Sequence, residues 1–264
     1  MDTHRIITPD GVGIAVRESG PPDAPPVVLI HGFSQCSLSW SRQMVGPLAR
    51  THRLVAYDIR GHGASDKPLD PAAYRNPAAW AGEAQAVIGQ LGLVRPVLVG
   101  WSYGGRIVAD YLAAHGDGAL GGIVFVAAAV ASVPSLFGPK RGLLAETGSA
   151  DLETSIAGTR AFLRACFAVP PEGEDFETML AFNAMVPPAV RAAMGGRMAD
   201  YDPVLRALRV PVLAIHGADD AIILPAMSHH IAAIAPGARA VIYERVGHAP
   251  FWEAATQFDA DVAA

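Results

Sequence analysis

The sequence predicts an α/β fold in which a mostly parallel sheet is covered by helices on both faces. Short strand-like runs alternate with helical patterns through most of the chain, which is the order that a parallel sheet requires. Several of these runs, such as Val27–Ile30 and Gly122–Val126, are continuously apolar, as expected for strands buried on both faces. The chain has 264 residues, of which 51% are hydrophobic, so it can bury one large core.

The chain up to residue 131 is predicted to supply most of the sheet. The turn residues Pro9-Asp10-Gly11 join two β-rich runs and predict an opening β-hairpin. Other strands are predicted from short apolar runs, and helices from apolar residues that recur at helical spacing. The strands are Ile6–Ile7, Val12–Val16, Val27–Ile30, Arg53–Tyr57, Pro96–Val99 and Gly122–Val126, and the helices cover Leu38 to Leu48, Tyr74 to Leu93 and the residues that follow Ser102.

The pattern changes between residues 132 and 202. There the β-rich runs vanish, prolines recur, and helical patterns cover Asp151–Phe167 and Asp175–Met185. We predict a helical insertion at 132–202, with residues 1–131 and 203–264 forming the core domain. Alternation resumes with the strands Val210–Ile215 and Arg239–Tyr243, the helix Pro225–Ile234 between them, and a last helix from about Trp252.

A strand–turn–helix unit around Ser102 predicts a catalytic nucleophile. The apolar run Pro96–Val99 enters Gly100-Trp101-Ser102-Tyr103-Gly104, and a helical pattern leaves it. The glycines at both ends of this Gly-x-Ser-x-Gly sequence allow a sharp turn that a Cβ would obstruct. Such a turn exposes the serine at the start of a helix, whose free N–H groups favour a developing anion.

Two further loops can supply the base and the acid that a serine nucleophile requires. His248 follows the last predicted strand in a loop with glycine before it and proline beyond it, so its imidazole can reach over the sheet edge. Asp219 and Asp220 follow the strand Val210–Ile215, and both are candidates for the acid. Serine, aspartate and histidine then occur in the chain order expected for a hydrolase with this type of sheet.

The negative oxygen that forms during acyl transfer needs two N–H donors. One is predicted to be the backbone N–H of Tyr103, directly after the nucleophile. We assign the second to the backbone N–H of Phe33, because the glycine in His31-Gly32-Phe33 lets the chain approach closely after the strand Val27–Ile30.

With these motifs in place, the chain resembles the α/β-hydrolase superfamily over nearly its whole length. The matching segments are His31-Gly32-Phe33, Tyr57-Asp-Ile-Arg-Gly-His-Gly-Ala-Ser65, Gly100-Trp-Ser-Tyr-Gly104, His216-Gly-Ala-Asp-Asp220 and Gly247-His-Ala-Pro250. The resemblance implies an eight-stranded, mostly parallel sheet with flanking helices, and a helical cap at 132–202. It selects Asp220 as the acid, because the family's acid stands three residues after the glycine of the His-Gly pair. It also implies structural roles for Asp58, Arg60 and His62.

Within the superfamily, the resemblance points to the serine esterase, lactonase and perhydrolase branch. Ser102 in place of aspartate excludes the alkyl-enzyme chemistry of the similar haloalkane dehalogenases and epoxide hydrolases. Ser34 and Trp101-Ser102-Tyr103 differ from the patterns of cofactor-free haloperoxidases, which are perhydrolases. We predict a serine hydrolase that cleaves a small, mainly apolar carboxylic ester or lactone through an acyl-enzyme. The alternatives are a perhydrolase or carbon–carbon hydrolase with the same triad, and a ligand receptor without catalytic activity.

The predicted substrate pocket is apolar. Its candidate residues near the strand ends are Trp40, Trp101, Ile222 and Trp252. Apolar residues of the insertion are expected to close it, namely Phe162, Leu163, Phe167, Met179, Phe182 and Met185.

Charge and composition narrow the partners to a small-molecule substrate. The net charge is −5 and no basic cluster occurs, which argues against nucleic acid and anionic membrane surfaces. Residues 1–11 do not resemble a secretory signal, and the longest apolar run, Ile123–Val133, is too short to span a bilayer. With only Cys36 and Cys166, free thiols in a reducing cytoplasm are expected. No motif predicts a cofactor, and His229-His230 lacks a third ligand for a metal site.

Overall fold

The computed structural model describes all residues from 1 to 264 and contains a single sheet of eight strands. They are β1 Asp2–Ile7, β2 Gly13–Ser19, β3 Pro26–Ile30, β4 Arg53–Tyr57, β5 Val97–Trp101, β6 Gly122–Val126, β7 Val212–Gly217 and β8 Arg239–Tyr243. Their order across the sheet is β1-β2-β4-β3-β5-β6-β7-β8. β2 pairs antiparallel with β1 and β4, and every other pair is parallel, which confirms the predicted sheet.

Eleven α-helices accompany the sheet. They are α1 Ser41–Val45, α2 Pro77–Gln90, α3 Tyr103–His115, α4 Leu143–Thr147, α5 Leu152–Ala165, α6 Gly173–Ala184, α7 Pro188–Met194, α8 Asp202–Arg206, α9 Ala226–Ile234, α10 Pro250–Glu253 and α11 Ala255–Ala263. Residues 132–202 contribute no strand to the sheet and hold helices α4 to α7. A helix with the length and apolar character needed to cross a membrane is not found among the eleven.

Local sequence signals explain where two helices differ from the prediction. α2 begins at Pro77, later than predicted, because the Asn76 side chain caps it by accepting a backbone N–H at 3.0 Å. The helix predicted from Leu38 to Leu48 is split into two 3₁₀ turns and the short α1, because Gly46 and Pro47 interrupt it. The strands β4, β6 and β8 have the predicted bounds.

The parallel strands bring the loops that follow them to one edge of the sheet. β3 and β5 are neighbours, and Ile30 at the end of β3 stands opposite Gly100 of β5. β6 lies next to β5, β7 next to β6 and β8 next to β7, so the loops after β3, β5, β7 and β8 share this edge. Open α/β sheets bind their ligands at the carboxyl ends of the strands.

Candidate active site

A strained turn holds Ser102 between β5 and α3. Its backbone has φ 54° and ψ −111°, a conformation that residues other than glycine rarely adopt. A Cβ on Gly100 would lie 2.7 Å from the Gly104 carbonyl oxygen, and a Cβ on Gly104 would lie 2.3 Å from the Ile30 carbonyl oxygen. Both positions therefore require glycine, and the predicted strand–turn–helix unit is confirmed.

Ser102 faces a cavity of about 820 Å³, a size that suits a small organic ligand. One wall of the cavity belongs to the loops at the carboxyl edge of the sheet and includes Phe33, Ser102 and Ile222. The opposite wall belongs to the helical stretch 132–202 and includes Phe162 and Arg191. The cavity therefore lies between the sheet and the inserted helices.

Asp220 and His248 form a buried, hydrogen-bonded pair. The His248 Nδ1 lies 2.6 Å from Asp220 Oδ2, and the two residues are 1% and 3% exposed. The other carboxyl oxygen accepts the backbone N–H groups of Ile222 and Ile223 at 2.8 and 3.0 Å. Burial alone would raise the pKa of Asp220. The charge of His248 and the hydrogen bonds from His216 and His248 lower the pKa by more than burial raises it, so it lies below its ordinary value. An ionised Asp220 can only accept, so the His248 Nδ1 carries the proton.

His216 holds Asp220 from the other side. Its Nε2 lies 3.0 Å from Asp220 Oδ2 and 2.9 Å from the Ile223 carbonyl oxygen, while its Nδ1 lies 2.8 Å from the Ser228 hydroxyl. The sequence analysis used His216 only as part of a motif. The structure shows that it positions the aspartate, whereas Asp219 is exposed and makes no contact with His248.

Trp101 ties the histidine loop to the serine turn. Its Nε1 donates a 2.7 Å hydrogen bond to the His248 carbonyl oxygen, and the two ring centroids are 5.7 Å apart. The loop also presses against the end of β7, because a Cβ on Gly217 would lie 2.0 Å from the Gly247 carbonyl oxygen. The structure gives no hydrogen bond between the Ser102 Oγ and the His248 ring. Bonds of this kind often tighten only when substrate binds.

Phe33 and Tyr103 meet Ser102 at the cavity wall, where the sequence places the two oxyanion donors. The loop after β3 runs close to the serine turn, and a Cβ on Gly32 would lie 3.1 Å from the Ser102 Cβ. Tyr103 is the first residue of α3, where a backbone N–H has no acceptor within the helix. Both backbone groups thus belong to segments that border the nucleophile.

The loop after β4 braces the loop that carries Phe33. The His62 Nε2 accepts the backbone N–H of Ser34 at 3.1 Å, and the Asp58 carboxylate accepts that of Ser37 at 2.6 Å. Ser34 has φ 63°, so these bonds hold a left-handed turn next to Phe33. Burial lowers the pKa of His62 well below its ordinary value, which keeps the ring neutral and able to accept. These contacts agree with the structural roles expected for Asp58 and His62.

The structure places only one of the four predicted pocket residues in the cavity wall. Ile222 lines the cavity, but Trp40, Trp101 and Trp252 do not. The Trp40 ring is fully buried with its centroid 4.3 Å from that of Phe251, and the Trp252 ring lies 4.0 Å from the Arg42 guanidinium carbon. Their large rings fill the space between helices and sheet instead of the cavity.

Most apolar residues of the inserted helices are buried in the common core and do not line the cavity. Of the six expected to close the pocket, only Phe162 lines the cavity. Met185 is 59% exposed, and the other four belong to the buried core, namely Leu163, Phe167, Met179 and Phe182. Helices that share one apolar core bury such residues against each other, so composition alone did not show which side chains reach the cavity.

The cavity carries arginines that the sequence analysis missed. Arg106, Arg141, Arg191 and Arg197 are among its 22 lining residues, and none of the lining residues is acidic. Arg197 is paired with Asp110 at 2.8 and 2.9 Å, but Arg106 and Arg191 have no carboxylate partner. Of the 22 lining residues, 12 are hydrophobic, so the cavity wall is mainly apolar, and the arginines add positive charge to it. No local pattern marks these residues, because an arginine in a helical stretch looks the same whether it is exposed or buried.

Both cysteines are free, as predicted, and both are buried. Burial raises the pKa of the Cys36 thiol to about 12 and raises that of Cys166 well above its ordinary value. A thiol with such a pKa is rarely ionised and is therefore a poor nucleophile. Ser102 is thus the nucleophile candidate of the cavity, and the cytoplasmic location stays a prediction.

Known proteins share this fold and resemble this sequence over most of its length. The family model described as alpha/beta hydrolase fold matches residues 25–255. A protein of Acinetobacter calcoaceticus named bifunctional esterase/perhydrolase DCH is 30% identical over 234 residues, which cover 83% of this chain and 82% of that protein. A non-heme chloroperoxidase of Burkholderia pyrrocinia is 32% identical over 239 residues with the same coverage. The crystal structure of an esterase from a Rhodococcus species matches with a TM-score of 0.92 and 35% identity, covering 100% of this chain and 98% of that one.

Proposed function

The chain belongs to the α/β-hydrolase fold family, and on that premise we propose that it is a serine hydrolase that cleaves carboxylic esters or lactones. One observation carries the proposal. Ser102 stands on a strained turn in the wall of a large cavity, and the same turn is tied through Trp101 to the buried pair of His248 and Asp220. The relatives named esterase support an ester as the substrate.

Acylation follows from these positions. The Ser102 Oγ attacks the ester carbonyl carbon while the His248 Nε2 takes the hydroxyl proton. The negative oxygen that forms accepts the backbone N–H groups of Phe33 and Tyr103. The imidazolium then gives its proton to the leaving alcohol as the carbon–oxygen bond breaks. Asp220 stays ionised throughout, holds the Nδ1–H tautomer and stabilises the imidazolium.

Deacylation repeats the sequence with water. His248 removes a proton from the water molecule that attacks the acyl carbon, and the Ser102 oxygen leaves with that proton. The products are one carboxylic acid and one alcohol, and the enzyme returns to its starting state. A lactone is an internal ester, so its alcohol and acid remain in one molecule.

We also propose that residues 132–202 form a cap over this site, with residues 1–131 and 203–264 as the core domain. The support is the position of the cavity between the two parts. A cap that covers the nucleophile limits the access of water and shapes the space for the substrate.

Turnover of p-nitrophenyl esters from acetate to octanoate by the wild type and by Ser102→Ala tests the function. We expect release of nitrophenol by the wild type, none above background by the variant, and the same circular dichroism spectrum for both. A fluorophosphonate probe should label the wild type and not the variant. A folded wild type that neither turns over esters nor takes the label would overturn the proposal.

Perhydrolysis is the second candidate, because the relatives include proteins named perhydrolase and chloroperoxidase. When acetic acid is the acyl donor, Ser102 forms the acetyl-enzyme and water leaves with a proton from His248. Hydrogen peroxide then attacks the acyl carbon, the Ser102 oxygen leaves with the proton that His248 takes from the peroxide, and peracetic acid is released. Incubation with acetate and hydrogen peroxide decides the matter. Peracetic acid that exceeds the yield of Ser102→Ala would establish this activity, and its absence would leave hydrolysis alone.

A further inference from the structure

The cavity has an excess of positive charge that the rest of the chain does not share. The whole chain has net charge −5, yet four arginines and no acidic residue line the cavity. One of the four, Arg197, is neutralised by Asp110, and Arg141 is exposed beside the Phe137 ring. The two that remain are Arg106 and Arg191, which approach the cavity from opposite walls.

Arg191 of α7 is a buried cation without an acidic neighbour. It is 4% exposed and donates to the carbonyl oxygens of Thr147 and Asn183 and to the Thr159 hydroxyl. Its Nε is buried and has no hydrogen-bond acceptor. Burial lowers the pKa of Arg191 only to about 10, so the guanidinium is charged at neutral pH. A buried charge of this kind destabilises the protein unless a group of opposite charge lies beside it.

α7 also lies close to the loops that surround the nucleophile. A Cβ on Gly61, in the loop after β4, would lie 2.6 Å from the Val190 side chain, which precedes Arg191. The positive charge of Arg191 contributes to the low pKa of His62, the residue that braces the Phe33 loop. Arg191 is therefore near the catalytic side of the cavity although it belongs to the inserted helices.

Arg106 provides a second cation close to Ser102. It stands four residues after Ser102, in the first turn of α3, and both residues line the cavity. It is 7% exposed, and its Nε and Nη1 donate to the carbonyl oxygens of Ala129 and Arg197 at 3.3 and 2.8 Å. Its Nη2 has no acceptor within the chain, which leaves one edge of the guanidinium available to a ligand.

We propose that the substrate carries a carboxylate in addition to its ester bond, and that Arg106 or Arg191, the two buried cavity arginines without a carboxylate partner, binds it. The substrate class is then monoesters of dicarboxylic acids, or lactones that bear a carboxylate. The inference rests on the proposed function and specifies the substrate of the same site. Guanidinium groups suit such a ligand because their planar donors match the two carboxylate oxygens.

Matched esters test this class. Monomethyl and dimethyl esters of succinate, glutarate and adipate share the scissile bond and the acyl chain and differ in one charge. We expect the wild type to prefer the monoester by roughly tenfold or more in initial kcat/KM, because a buried charge pair contributes selectivity of this order. Monoester hydrolysis should weaken as the salt concentration rises, and diester hydrolysis should not.

Arg106→Gln and Arg191→Gln test the residues, and Arg160→Gln is the matched control. Arg160 lies exposed on α5 outside the cavity, so its loss changes the net charge alone. We expect at least one cavity variant to lower the monoester preference about tenfold while kcat/KM for the diester changes by less than about threefold. The control should keep the wild-type preference. Arg191→Lys retains the charge and serves if Arg191→Gln does not fold.

Binding provides a readout that does not depend on turnover. In Ser102→Ala, glutarate and its monomethyl ester should raise the melting temperature and the uncharged dimethyl ester should not, and a cavity variant should weaken the effect. A wild type that hydrolyses p-nitrophenyl esters but shows no preference for the monoester would overturn this proposal and leave the proposed function intact. If the cavity variants lower the melting temperature but keep the wild-type preference for the monoester, both arginines stabilise the fold and do not bind the substrate. Without any ester turnover the proposed function fails, and glutarate binding alone then decides whether the cavity binds a carboxylate.

Discussion

Two buried arginines, one on each side of the cavity, have different kinds of hydrogen-bonding partners. Behind the sheet-edge wall, Arg60 is fully buried and bonds to Glu83 and, at 2.8 Å, to Asp10. Asp220 in the same region is likewise surrounded by donors. Within the inserted helices, Arg191 is buried nearly as deeply and has only carbonyl and hydroxyl oxygens as partners.

This difference separates the parts of the site by their task. A buried charge with an opposite partner forms a closed unit, which can hold loops and catalytic groups in place before substrate arrives. A buried charge without one has unused capacity to bind an anion. The charge pairs of the sheet edge thus hold the catalytic groups in place, and the unpaired Arg106 of α3 and Arg191 of α7 remain for binding the substrate. Substitutions of the catalytic residues, of Arg60 and of Arg191 test this division.

Removal of the nucleophile should stop the chemistry and leave both walls intact. Ser102→Ala and His248→Ala should each lower kcat by roughly a millionfold, because the two groups act as one unit. The double variant should be little worse than either single one. Single-turnover kinetics with an activated ester, together with the melting temperatures, provide the measurement. Losses that multiply in the double variant would show that the two residues act independently.

Asp220→Asn should lower kcat by about ten-thousandfold, because an amide cannot hold the Nδ1–H tautomer of His248 in the same way. Asp219→Asn is the matched control, since its side chain is exposed and only one position away. Its kcat should equal that of the wild type. The reverse ranking of the two variants would identify Asp219 as the acid.

Arg60→Met should destabilise the fold by about 3–5 kcal/mol, because it leaves the Glu83 carboxylate buried without its cation. Burial raises the pKa of Glu83 to about 7 even with the arginine present, which shows how poorly the site solvates a lone carboxylate. Urea unfolding at constant pH gives the change in free energy. A loss below about 1 kcal/mol, the level of an exposed ion pair, would contradict the closed charge unit described here.

Arg191→Met should cost less, about 1–2 kcal/mol, because the change leaves carbonyl oxygens rather than a carboxylate without a donor. Urea unfolding of the two methionine variants under the same conditions makes the comparison direct. A cost equal to that of Arg60→Met would remove the contrast between the two walls.

The sequence predicted the sheet side of the site far better than the helical side. Ser102, Asp220 and His248 stand in short motifs whose glycines tolerate only one local geometry, as the contacts of Gly100 and Gly104 show. The bounds of β4, β6 and β8 followed from continuous apolar runs between turn residues. Backbone constraints of this kind depend on a few consecutive residues, so they can be recognised from the sequence without a structure.

The helical side depends on long-range packing, which local patterns do not encode. Phe162 and Phe182 have similar sequence surroundings, but only Phe162 reaches the cavity. Trp40 and Trp252 occur near strand ends and still pack away from it. The net charge of the cavity depends on whether an acidic residue from a distant segment forms an ion pair with each arginine. Asp110 forms such a pair with Arg197, which lies 87 residues further along the chain. Such pairings become visible only in three dimensions.

The contact between Trp101 and His248 provides the protein with its own optical reporter. An indole ring whose centroid lies 5.7 Å from that of an imidazole is close enough for its emission to respond when that imidazole moves. The emission of Trp101 should therefore change when a ligand displaces the His248 ring, without any added dye. A variant that keeps Trp101 as the sole tryptophan would let the arrival of a ligand at the active site be followed directly.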